Sequence, residues 1–114
     1  GYFHRAMQYF KEKYTNVSFI VSTDDPEWVK TELLSRQNIG HVSLLNTTGE
    51  NDADFVDLAI LSLCDHVITS TGTYGWWAGW LSAGETVYYA NWPRNGSKLD
   101  RKVKVEDFFP REWI

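Results

Sequence analysis

His66-Val67-Ile68-Thr69 runs directly into Ser70-Thr71-Gly72-Thr73, and that turn into Tyr74-Gly75-Trp76-Trp77-Ala78-Gly79-Trp80-Leu81-Ser82-Ala83. A β-branched, apolar tetrad, a hydroxyl-and-glycine turn and a helix-length apolar segment spell strand, turn and helix in immediate succession. The same alternation extends outward in both directions. Downstream, Thr86 to Ala90 reads as a strand, and upstream Asp54 to Cys64 reads as a nearly all-apolar helix. Before that come a strand over His41 to Leu45, a helix from the Asp25-Pro26 cap to about Arg36, and a strand over Val17 to Val21. The chain opens on an amphipathic helix, Phe3 to Tyr14, with Phe3, Met7 and Phe10 one turn apart. Short strands separated by helices predict right-handed crossovers and a parallel sheet, an α/β fold.

The 114 residues suit one domain, with 15 acidic against 11 basic side chains for a net charge of −4. That balance argues against a domain gripping nucleic acid through its phosphates. Six Phe, six Tyr and six Trp close a core readily and exclude disorder. The lone Cys64 forms no internal disulfide. The chain contains no apolar run of the roughly eighteen residues that span a bilayer. It opens on Gly1 rather than Met, so a signal or anchor is expected, if anywhere, upstream.

In open parallel sheets ligands bind beyond the carboxyl ends of the strands, so the residues following each strand are where chemistry is sought. These are Ser22-Thr23-Asp24-Asp25, Asn46-Thr47-Thr48, Ser70-Thr71-Gly72-Thr73 and Asn91-Trp92. The third supplies three hydroxyls and a permissive Gly72, and aims the free N–H groups of a helix start at whatever lies there, which suits a phosphate. The plainer reading is that Thr73 is the N-cap and Gly72 the turn. Neither a GxxxxGK[ST] nor a GxGxxG pattern occurs. Asp57, inside Phe55-Val56-Asp57-Leu58-Ala59-Ile60-Leu61, carries a desolvation cost if it faces a core without a donor, so it is expected in a crevice. Its two oxygens can accept in parallel from the N1–H and N2–H₂ edge of guanine. Equally, it can serve beside Asp52 and Asp54 as an acid compensating the helix dipole.

Other motifs carry less. Gly75, Gly79 and Ala83 form a small-residue ridge that lets their helix approach the sheet closely, and most of the tryptophans around them read as packing rather than sugar stacking. Asp52-Ala53-Asp54 has a metal-holding D-x-D spacing but sits at a helix start, so no metal is assigned. Asp24-Asp25 lacks the later lysine of an acidic receiver pocket, since Asn91-Trp92-Pro93 stands in its place. His4, His41 and His66 have no metal-ligand spacing and read as surface or core-satisfied residues. Three N-glycosylation sequons, at Asn16, Asn46 and Asn95, lean toward a secretory lumen.

The run from Asp57 through Cys64-Asp65-His66, Ser70-Thr71-Gly72-Thr73-Tyr74 and on to Leu81 resembles the donor-side motif of the galactoside α-1,2-fucosyltransferases, glycosyltransferase family 11. Gly84-Glu85-Thr86-Val87-Tyr88-Tyr89-Ala90-Asn91 and Phe108-Phe109-Pro110-Arg111-Glu112-Trp113 continue the likeness, which covers essentially the whole chain. It implies a Rossmann-like parallel sheet with helices on both faces, the C-terminal, GDP-fucose-binding half of a GT-B-like enzyme truncated at its N-terminal side. Such an enzyme transfers L-fucose with inversion to the 2-hydroxyl of a β-galactoside acceptor glycan, requires neither metal nor cofactor, and is a Golgi type II membrane protein in animals. Residue by residue, Asp57 then faces the guanine, while Ser70, Thr71, Gly72, Thr73 and Tyr74 approach the diphosphate and fucose. One departure stands out: the family's basic H-x-R-R-x-D motif has no counterpart, the only His-Arg pair being His4-Arg5 followed by Ala6-Met7. That motif is expected upstream of Gly1, the chain alone is expected to be inactive, and no base for the acceptor hydroxyl can be named. The competing class is a non-catalytic nucleotide- or sugar-binding module.

Overall fold

The computed structural model describes residues 1–36, 40–45 and 52–114, which cluster into two compact units, Gly1–Ile60 and Leu61–Ile114. In the first unit, helix α1 (Tyr2–Lys13) buries Ala6, Met7 and Phe10 along one face. Lys11 and Lys13 sit in its last turn, where the helix dipole favours positive charge. Phe3, expected on the buried stripe, is only half-buried and presents its ring edgewise to Trp28 at 6.1 Å. Strand β1 (Ser18–Val21) follows, and then the Asp25 carboxylate accepts from the Trp28 amide at 3.0 Å to cap α2 (Pro26–Trp28).

The helix expected to reach about Arg36 then changes its pitch. From Val29 to Leu34 it is a π-helix, burying Val29 and Leu33. Side-chain hydroxyls occupy its carbonyls: Thr31 Oγ1 donates to Glu27 O at 2.7 Å, and Ser35 Oγ donates to Thr31 O. Such back-bonding competes with the regular ladder and favours a bulged turn.

Strand β2 (His41–Leu44) pairs parallel with β1, Ser18 opposite His41 and Ile20 opposite Ser43. All four of those residues are exposed, Ile20 at 41 %. One face of this pair is therefore uncovered among the described residues. The physical reason is alternation: Ser18, His41 and Ser43 carry too little apolar surface to bury, whereas strands covered on both faces are apolar throughout.

Helix α3 (Ala53–Ser62) begins at Asp52, whose carbonyl accepts from the amides of Phe55 and Val56, each at 3.0 Å. In the second unit, β3 (Val67–Ile68) and β4 (Thr86–Val87) pair in parallel, and a backbone bond from Thr69 N to Val87 O at 2.9 Å continues the ladder. The described strands thus form two two-stranded parallel sheets where one sheet was expected. The chain end lies along the other side of β4: Ile114 N donates to Thr86 O and Tyr88 N to Ile114 O, both at 2.9 Å.

Helix α4 (Thr73–Leu81) packs on this pair through its glycines. A Cβ on Gly75 would lie 3.1 Å from the Thr69 Cβ, and one on Gly79 would lie 2.7 Å from the Thr86 Cγ2. The ridge expected from Gly75 and Gly79 is there, but Ala83 falls beyond the helix and is exposed. A short helix, α5 (Val105–Phe108), completes the elements.

Candidate functional site

The turn between β3 and α4 leaves the sheet at its carboxyl end. Thr69 is buried, Ser70 to Thr73 are exposed, and Gly72 takes φ +110°, a conformation that L side chains rarely adopt. Gly72, not Thr73, occupies the N-cap position, and no side chain caps the helix. Thr73 is the first helical residue, so its hydroxyl and the amides of the first turn open toward solvent at the positive end of a nine-residue helix. Trp76 N donates to Gly72 O at 3.4 Å, closing that first turn.

This turn forms part of a shallow cleft lined by Thr69 to Thr73 and by five aromatic residues, Trp76, Tyr89, Trp92, Phe108 and Phe109. The aromatic wall is held from behind. The Trp76 indole N–H donates to the Phe108 carbonyl at 2.6 Å, and Trp76 itself stacks on Trp80 at 5.3 Å. Trp92 lies 5.1 Å from the Phe108 ring and 6.1 Å, edge-on, from the Phe109 ring, while Tyr88 stacks on Phe109 at 4.2 Å. Among the described residues, neither Lys nor Arg lines the cleft. A polyanion seated here meets hydroxyls and helix amides but no cation from these walls.

Of the residues singled out in the sequence, Ser70, Thr71, Gly72 and Thr73 come together in this cleft. Tyr74 does not line it: one residue further along α4, it is 40 % exposed outside the cleft wall. Trp76 packs as expected, whereas Trp77 and Trp80 are about half exposed. In the sequence, Phe108 and Phe109 stand only within the tail that continues the family resemblance, with no site role attached. Their place in the cleft with the hydroxyl turn depends on the chain end pairing with β4, which no local pattern announces.

Asp57 belongs to the first unit. It is the only residue of α3 that is fully buried, at 8 % exposure, while the neighbouring Phe55 is 73 % exposed. The helix therefore turns its acid inward and an apolar face outward. Ser22, the first residue after β1, donates its hydroxyl to Asp57 Oδ2 at 2.7 Å. The Ser22 hydroxyl thus supplies a donor to a carboxylate that burial removes from water. Ser22 was noted only as part of a strand-end cluster; its pairing with Asp57 spans 35 positions and has no local sequence signal.

The sequon asparagines Asn16 and Asn95 are exposed, Asn16 with φ +56°, whereas Asn46 lies outside the described residues. Ser97 of the third sequon sits in a turn closed by its own amide on Arg94 O at 3.0 Å. No group of three or more His, Cys, Asp or Glu that could hold a metal ion occurs among the described residues. His4 differs from its expected reading: its Nε2 is buried without a hydrogen-bond partner among the described residues, and burial, with the nearby positive charges of Arg36 and the N-terminus, lowers its pKa.

The pattern of Glycosyl transferase family 11 matches residues 1–114. The chain belongs to that family. Over 114 residues it is 33 % identical to the human "Galactoside alpha-(1,2)-fucosyltransferase 1" and 31 % identical to the mouse "Galactoside 2-alpha-L-fucosyltransferase Sec1". Over 115 residues it is 30 % identical to the SEC1 protein of Bos taurus. Each alignment covers 100 % of this chain and 30 % of the relative, so the family-11 chain spans about a third of the length of these proteins. No solved structure matches it. The names of these relatives describe fucosyl transfer to galactosides. No described helix of the family-11 chain is long and apolar enough to cross a membrane.

Proposed function

We propose that this chain is the donor-binding, C-terminal half of a GT-B-like galactoside 2-α-L-fucosyltransferase that takes fucose from GDP-fucose. The observation that carries the reading is the hydroxyl turn Ser70–Thr73 at the carboxyl end of β3, opening into a cleft at the start of α4 in a family-11 chain. In this reading the Ser70, Thr71 and Thr73 hydroxyls and the α4 amides hold the diphosphate, and Gly72 permits close approach of the backbone. Asp57, oriented by Ser22, receives the guanine edge.

The reaction is a displacement with inversion. The 2-hydroxyl oxygen of a terminal β-galactoside bonds to C1 of the fucose as the C1–O bond to the β-phosphate breaks. The electron pair leaves on GDP, and the hydroxyl proton passes to a base. Donors at the turn stabilise charge as it develops on the leaving diphosphate, which is where they act most strongly on rate. The exposed sequons at Asn16 and Asn95 support a protein of the Golgi lumen, held there by an anchor outside these 114 residues.

The test is transfer of radiolabelled fucose from GDP-fucose to a lactose-type acceptor by the full-length protein, with the linkage determined in the product. An α-1,2 product supports the reading. Binding of GDP-fucose without transfer makes the protein a nucleotide-sugar-binding module instead.

A further inference from the structure

The cleft is divided by chemistry. The hydroxyl turn lines part of it and aromatic rings line the rest, with Phe108 and Phe109 offering no hydrogen bond through their rings. Phe108 is still 38 % exposed although its ring meets Trp92 at 5.1 Å and its carbonyl is fixed by Trp76 at 2.6 Å. A large ring left open to a cleft but immobilised from behind can bury apolar ligand surface with little ordering cost on binding.

If the diphosphate sits on the hydroxyl wall, the sugar joined to its β-phosphate falls within one ring's reach of the aromatic wall. Fucose is a 6-deoxy hexose, and its C6 methyl is the most apolar group it carries. We infer that Phe108, with Trp92 beside it, is the seat of that methyl, and that this wall lets the enzyme choose a 6-deoxy donor over the same sugar bearing a 6-hydroxyl. The inference rests on the donor assignment above and adds the residues that read the sugar.

The physical limit on such a choice is known. An apolar pocket rejects an isostere that merely adds a hydroxyl by a factor on the order of 10², because the hydroxyl loses its water without gaining a partner.

The test uses the full-length enzyme with GDP, GDP-L-fucose and GDP-L-galactose, the last differing from the second only at C6. The expected result is a preference for GDP-L-fucose of about 10²-fold in kcat/KM. Phe108→Ala should reduce that preference below tenfold while leaving the dissociation constant of GDP unchanged, and Phe108→Leu should retain most of it. Should Phe108→Ala fail to fold, the comparison of the two sugars in the unmodified enzyme still decides. Equal use of both sugars, or a Phe108→Ala variant that weakens GDP and GDP-fucose alike, removes Phe108 from the sugar seat while leaving the donor assignment standing. Absence of GDP binding altogether defeats the donor assignment, and the methyl seat with it.

Discussion

At the scale of single residues, the Ser22–Asp57 pair separates structure from function. Asp57→Ala removes both proposed acceptors for guanine, and a lost hydrogen bond to a charged group costs roughly 1.5–3 kcal/mol, or about one to two decades in affinity for GDP. Calorimetric titration of GDP into the full-length enzyme and its variant measures this. Equal dissociation constants with a lowered melting temperature would retire the guanine role and leave Asp57 a structural acid. Ser22→Ala bears on the same pair from the other side, since it strips a donor from a buried carboxylate. It should lower stability by about 1–3 kcal/mol, read as a shift in the denaturation midpoint.

His4 carries a pH signature. Its lowered pKa means that the unfolded chain takes up the proton first as pH falls. The associated stability is therefore fully present above the ordinary histidine value of about 6.5 and is lost as pH drops below it. Melting temperatures measured from pH 7.5 to 5 should fall more steeply for the natural protein than for His4→Phe, and parallel curves would show that His4 does not couple folding to protons.

At the scale of elements, the approach of α4 to the β3–β4 pair ranks its glycines. A Cβ at Gly79 would meet Thr86 at 2.7 Å and Trp113 at 3.0 Å, both on other segments, whereas one at Gly75 meets only Thr69, at 3.1 Å. Alanine gains up to about 1 kcal/mol of helix propensity over glycine at either site. Overpacking of a well-filled core costs typically 1–3 kcal/mol. Gly79→Ala should therefore destabilise clearly while Gly75→Ala stays near neutral, as thermal unfolding of the two variants will report. The spacing of these glycines was legible in the sequence, but which of them touches a second segment was not, because Trp113 reaches Gly79 only through the return of the chain end along β4.

At the scale of the whole molecule, the lack of Lys and Arg among the described residues that line the cleft bears on what the 114 residues do by themselves. A diphosphate carries more charge than one helix N-terminus offsets, so the chain alone should bind GDP-fucose weakly and fucosylate no lactose-type acceptor. Measurable transfer by residues 1–114 would show that the cleft suffices. In the full-length enzyme, activity should persist in excess chelator, because Asp52-Ala53-Asp54 is built as a helix start, with the Asp52 carbonyl bonded to the Phe55 and Val56 amides. Loss of activity with chelator, restored by manganese, would instead assign a metal-bridged donor.

Local pattern accounts for most of the elements and their order, since helical and strand periodicities, the Asp25-Pro26 cap and the Ser70–Thr73 turn need no distant partner, but it announced neither the π-helix over Val29–Leu34 nor α5. The sequence by itself also determined family membership, carried by residue identities along the whole chain. How the strands pair, why α3 turns Asp57 inward and Phe55 outward, and which aromatics share the cleft with the hydroxyl turn follow from tertiary contacts. Each of these depends on contacts between residues tens of positions apart: Ser22 with Asp57, Trp76 with Phe108, Ile114 with Thr86. An apolar run shows that a face exists to be buried, but which residues turn inward is set by the donors and surfaces that the rest of the fold brings to it.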